Sequence, residues 1–156
     1  MADPRIIMVL GALFGFLHAF KIKGTYTRVI TWASIVAIGV MMISKVEIAI
    51  DGFYLFTIVQ IGIIIYTFSD DTFSQLKKTL LVVSAAATLL PMILFLGLNP
   101  FFNLAAMICG LIQLSIFVYA LIKIVKELKE EMGFLIMLAA FALTHFLGGI
   151  LFFAAG

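Results

Sequence analysis

The chain has 156 residues, 65% of them hydrophobic and 12% charged, with a formal charge of +2 and a mean hydropathy of +1.27. So little polar surface cannot cover a water-soluble globule of this length, which leaves no room for a soluble module and points to one integral-membrane domain over residues 1–156. No basic surface is large enough to hold nucleic acid, and a single cysteine, Cys109, excludes an intrachain disulfide, a CxxC redox pair and a cysteine-rich metal site.

Six apolar runs are predicted as helices, over residues 6–20, 29–44, 52–68, 79–98, 101–124 and 133–155. The fold class is therefore all-α, a polytopic bundle of about six spans. In the first run, GALFGFLHA puts Gly11, Gly15 and Ala19 at four-residue spacing. Such a small-residue stripe lets helices approach closely, either within the bundle or against another protein. Positive charge follows this run instead of preceding it, so the segment reads as a retained helix and not as a cleaved signal.

The first three runs are short for a bilayer core of about 30 Å and need snorkelling by Lys21, Lys23 and Lys45 or local thinning. Four spans, with the first two runs lying in the interface, is the alternative. It asks for one strongly charged helix face, which run 29–44 lacks.

Run three carries Gln60 and ends in SDDTFSQLKK, whose Asp70 and Asp71 read as a solvated cap before the next helix. Two acids offer too few oxygens for a hard cation, and no metal is expected. Run four holds Thr88 and Pro91. The proline deprives the Ala87 carbonyl of its usual partner and so adds an acceptor at the same depth. The turn LGLNPFFN, with Asn99 before Pro100, makes runs four and five antiparallel neighbours.

Run five carries Gln113 among Ala106, Gly110 and Ala120. It continues into KIVKELKEEM, where Lys123 with Glu127 and Lys126 with Glu130 stand four apart, predicting that the helix extends into water. Run six places Thr144 and His145 in LAAFALTHFLGGILFF, with Ala142 and Gly149 on the histidine's face. Small residues on a polar face turn it toward protein and away from lipid.

Eight of the ten cations fall in alternate loops: Lys21, Lys23, Arg28, Lys77, Lys78, Lys123, Lys126 and Lys129. The positive-inside rule then places both termini outside, in a cytoplasmic-type cell membrane. Trp32, Tyr66 and Tyr119 near the inner ends and Tyr54 at an outer start suit an interfacial register.

Gln60, Thr88, Gln113, Thr144 and His145 all lie within about a turn of the midplane. Such a layer either bonds helices together, at on the order of 1 kcal/mol per pair, or lines a small binding site. His18 lies far from His145 in depth, which argues against a haem held by both, and no cofactor is expected. Acids are missing from all six runs; Glu47 lies near the outer end of run two. No GxSxG, HExxH, GxGxxG or P-loop pattern occurs, so an enzyme is not expected. The leading expectation is a non-catalytic membrane subunit whose partners are the lipid bilayer and other membrane subunits, or further copies of itself. The alternative is a small autonomous transporter or channel for a neutral or lipophilic solute.

Overall fold

The computed structural model describes the backbone of residues 5–43, 46–98, 100–123 and 125–155, with side chains for all of these except 46–48 and 151–155. The expectations for Lys45, Asn99 and the Glu47 side chain lie outside the described residues. Six helices follow in order: α1 (Arg5–Ala19), α2 (Thr25–Met41), α3 (Val46–Ser69), α4 (Gln75–Leu96), α5 (Phe102–Lys123) and α6 (Met132–Ala155). Four of them, α3 to α6, are long and apolar enough to cross a membrane, while α1 and α2 have 15 and 17 residues. The protein is thus an all-helical membrane bundle.

Each helix packs on the next, and α6 returns against both α1 and α5, closing the sequence into a ring. Short connections favour this antiparallel neighbour order. The last helix also touches α2 and α4, and α3 reaches it through Phe56, whose ring lies 5.0 Å from that of Phe141. In α6, 61% of the apolar stretch is buried, against a third or less in the other three long helices. Its sequence explains the position, because MGFLIMLAAFAL is apolar on every face and small at Ala139, Ala140 and Ala142.

The α1 stripe faces α6. A β-carbon on Gly11 would lie 2.5 Å from the Ala140 Cβ, and one on Gly15 would lie 2.8 Å from the Met137 sulfur; Ala19 is buried. The stripe is therefore used inside the bundle and not as a face for a second protein. Outside it, α1 exposes Val9, Leu10, Leu13, Phe14 and Leu17.

Two boundaries differ from the sequence reading. Helix α3 begins at Val46, so Glu47 belongs to its first turn and not to the end of run two. Helix α5 stops at Lys123, and residues 125–130 form turns. The expected Lys–Glu pairs are displaced by partners on other elements. Glu127 accepts from the Ser74 hydroxyl at 2.9 Å, Glu130 accepts from the Gly24 N–H at 3.0 Å, and Leu128 is fully buried. One buried leucine and two tertiary hydrogen bonds outweigh exposed four-residue ion pairs worth about 0.3–0.5 kcal/mol each.

The cations of the three alternate connections converge on one end of the bundle, and this end is tied across helices. Lys77 Nζ meets Glu131 Oε1 at 2.8 Å and donates to the Glu127 carbonyl at 3.2 Å, over the Phe73 ring at 3.8 Å. Tyr66 donates its hydroxyl hydrogen to Glu131 at 3.1 Å and accepts from Thr27 at 3.0 Å. Tyr66 therefore turns its hydroxyl into the bundle. The imidazole of His18 donates from Nε2 to the Lys129 carbonyl at 2.8 Å, fastening α1 to the same connection. Trp32 packs edge-on against Phe16 and Phe20 at 5.5 and 5.8 Å.

The acid pair before α4 divides its work. Asp70 accepts from the Thr72 hydroxyl and N–H at 2.6 and 2.9 Å. That hydroxyl bond first, then the backbone bond and the nearby lysines, holds its carboxyl below the usual carboxylate range. Asp71 is fully exposed, 3.9 Å from Lys78. The cap itself is Ser74, whose side chain accepts from the Lys77 N–H at 3.2 Å.

Candidate functional site

Counting from the lysine-rich end at 1.5 Å per residue, Gln60, Ser84, Thr88, Gln113, Thr144 and His145 lie at depths of about 14–20 Å in helices about 33–36 Å long. These residues therefore stand at similar distances along their helices. Their side chains divide into two groups.

Gln60, Thr88, Gln113 and Thr144 are buried, the two glutamines almost completely. Gln113 Oε1 accepts from the Ser84 hydroxyl at 2.8 Å, which joins α5 to α4. Ser84 is a member that the sequence reading passed over. The signal was there: a serine four residues before Thr88 shares that helix face. Thr88 donates to the Ser84 carbonyl at 3.0 Å and Thr144 to the Ala140 carbonyl at 2.9 Å, both back onto their own helices. Gln60 donates from Nε2 to the Phe56 carbonyl at 3.3 Å. The remaining ends of the two amides, Gln60 Oε1 and Gln113 Nε2, have no partner among the described residues. One is an acceptor and the other a donor, each shut off from water, where an unmet group costs about 1–3 kcal/mol. Helix α4 runs on through Pro91, which is itself buried.

His145 belongs to the second group. Its Nδ1 donates to the Phe141 carbonyl at 2.9 Å, which fixes the proton on that nitrogen and leaves Nε2 as the acceptor. The imidazole is half-buried among rings, 4.0 Å from Phe141 and 6.2 Å from both Phe53 and Phe102. Phe53 in turn meets Phe95 at 4.6 Å, and Phe95 meets Phe102 at 5.2 Å. Half-buried Phe53, Phe95 and Phe102 thus form a connected set from α3, α4 and α5 beyond the amide layer, on the side away from the lysines, while Phe141 of α6 lies at the depth of the layer itself. On the other side, the Lys77–Glu131–Tyr66 network spans the helix ends.

Close helix approach supports both groups. A β-carbon on Gly110 would lie 3.1 Å from the Ala142 carbonyl oxygen, and one on Gly149 would lie 2.6 Å from the Met107 side chain, so α5 and α6 meet with little between them. Cys109 is free and buried on the same stretch of α5.

Chemically, the arrangement offers amides, hydroxyls and one neutral-tautomer imidazole, held largely by their own helices. No carboxylate among the described residues is placed in the layer, so a nucleophile has no base with an orienting acid beside it. Comparison with known proteins returns no matching family model, no matching curated protein and no matching solved structure.

Proposed function

We propose that the chain is a six-span, non-catalytic subunit of a larger membrane protein assembly, with its lysine-rich end on the cytoplasmic side of a cell membrane and both termini outside. The observation that carries this reading is the filled interior. Helix α6 touches all five other helices and is the most buried of the four long ones, phenylalanines of α3, α4 and α5 pack together across one half, and the Lys77–Glu131–Tyr66 network ties the other. The polar midplane groups act as packing contacts between and within helices, as Ser84 does with Gln113. What the bundle offers to partners is its outer surface, where α1 exposes seven large apolar side chains beside an apolar groove formed with α2, with Gly39 and Met42 among its lining residues. For α1 and α2, whose lengths of about 23 and 26 Å fall short of the bilayer core, contact with a neighbouring protein relieves mismatch.

Extraction in a mild detergent at native abundance, followed by native mass analysis, tests the proposal. A complex of fixed stoichiometry containing this chain is expected; a lone monomer would refute it.

A second reading, a midplane site for a neutral solute, is favoured by one observation: Gln60 Oε1 and Gln113 Nε2 are an unmet acceptor and an unmet donor at the same depth. It requires swelling of proteoliposomes in small amide or polyol solutes that Gln113→Leu abolishes while the helical signal is retained. Equal swelling with the variant removes it.

A further inference from the structure

Two adjacent lysines at the start of α4 face different ways. Lys77 is buried and committed inside the bundle, to Glu131 Oε1, the Glu127 carbonyl and the Phe73 ring. Lys78 instead lines a groove of about 210 Å³ between the end of α3 and the first turns of α4, together with Phe68, Gln75, Thr79, Val82 and Val83. Its side chain is 21% exposed, and its one ion pair among the described residues is with Asp71, 3.9 Å away and itself fully exposed. A pair so long and so wet contributes little, which leaves the ammonium free to engage a better anion.

The groove changes character along its length. Gln75, Lys78 and Thr79 stand at the start of α4, whereas Val82 and Val83 lie about 6–8 Å deeper than Lys78 along the same helix. Phe68, from the last turn of α3, forms the opposite wall. Because Phe68 and Val83 are exposed, the groove opens on the outer surface of the bundle. Both helices are long and apolar enough to cross a membrane. The polar part therefore falls at the level of lipid headgroups and the valines at the level of acyl chains.

Charge fits the same occupant. The lining holds one cation and no carboxylate. Of the five acids at this end, Asp70, Glu127, Glu130 and Glu131 line a separate cavity on the Lys77 side, and Asp71 alone comes near Lys78. Eight cations stand against those five acids, a surplus that attracts anionic lipid. The Lys77 and Lys78 N–H groups are taken by the Ser74 hydroxyl and carbonyl oxygens, and the Thr79 hydroxyl donates to the Gln75 carbonyl. Recognition of a phosphate thus falls to the Lys78 ammonium and the Gln75 side-chain amide.

We propose that this groove holds one anionic phospholipid, its phosphate on Lys78 and Gln75 and the start of an acyl chain along Phe68, Val82 and Val83. The proposal involves only two of the four long helices, so it stands whether or not the chain is a subunit of an assembly. Free phosphate would meet the polar half of the groove alone. A zwitterionic lipid would bring a second cation to a lining without an acid.

Native mass spectrometry of the full-length chain in neutral detergent tests the proposal, with added phosphatidylglycerol, phosphatidylcholine of the same chains, or inorganic phosphate. One phosphatidylglycerol per chain should be retained at concentrations where neither of the others is. Lys78→Gln should weaken that first binding by about fivefold, the factor that one lysine near a charged surface represents. Val82→Trp, which fills the apolar half and keeps the charge, should weaken it too. Lys21→Gln combined with Lys23→Gln, which removes two exposed cations elsewhere at the same end, should leave it unchanged. Equal retention of phosphatidylcholine, equally tight inorganic phosphate, or unchanged binding in Lys78→Gln would overturn the assignment. So would a loss in the Lys21 and Lys23 variant as large as in Lys78→Gln, or a dimer that takes up no lipid, which would give the groove to a second copy.

Discussion

The contact between α1 and α6 supplies a test whose size follows from one distance. A β-carbon added at Gly11 would lie 2.5 Å from the Ala140 Cβ, whereas carbon atoms in contact prefer about 3.5–4.0 Å. Gly11→Ala therefore pushes the helices apart by about 1 Å or more, an overpacking that costs about 1–3 kcal/mol. Alanine also favours a helix over glycine by about 1 kcal/mol, which masks part of that cost in the single variant. The reciprocal change, Ala140→Gly, loses the same helix preference and leaves a gap. Combining the two exchanges one methyl group across the interface, so the helix preferences cancel and the clash disappears. The double variant should unfold close to wild type, and the interaction energy from the cycle should be about 1–3 kcal/mol, read from unfolding in mixed micelles of increasing dodecyl sulfate content. If the two changes simply add, to within about 0.5 kcal/mol, then α1 does not pack on α6 through Gly11.

Two further outcomes concern the lysine-rich end. Lys77→Met leaves Glu131 as a buried carboxylate without its counter-ion and should cost about 3–5 kcal/mol, most of it regained in Lys77→Met combined with Glu131→Leu; a double variant as unstable as the single would contradict a paired burial. Because Thr72 holds the Asp70 carboxyl below its usual range, the stabilisation of that turn is complete above the ordinary aspartate pKa of about 3.9 and is lost only as the pH falls below it. The Thr72 amide resonance should accordingly titrate with a midpoint under that value, and a midpoint above it would rule out the turn.

Much of this protein was legible from its residues alone. Hydrocarbon runs long enough to matter, broken by charge and turn residues, determine six helices and their approximate limits, since a backbone in lipid must satisfy its own hydrogen bonds. The depth of Gln60, Thr88, Gln113, Thr144 and His145 also follows from counting, because the helical rise is constant. The gathering of lysines at one end follows from alternation of the loops.

Rotation about each helix axis and the choice of neighbour were decided by tertiary structure. Counting places His145 with the glutamines; packing sends it instead among Phe53, Phe102 and Phe141. Local spacing pairs Lys123 with Glu127 and Lys126 with Glu130. The fold breaks the helix there, because Ser74, Gly24 and the burial of Leu128 reward the connection more than exposed ion pairs do. Glu131, an unremarkable acid in KELKEEM, becomes the buried partner of Lys77 from a segment some fifty residues away, and no local pattern announces such a pair. Sequence determines which segments are helical and how deep each residue lies because these depend on near neighbours and on solvent. Which polar groups meet depends on side-chain volumes across interfaces between distant segments, and only the packed bundle settles that.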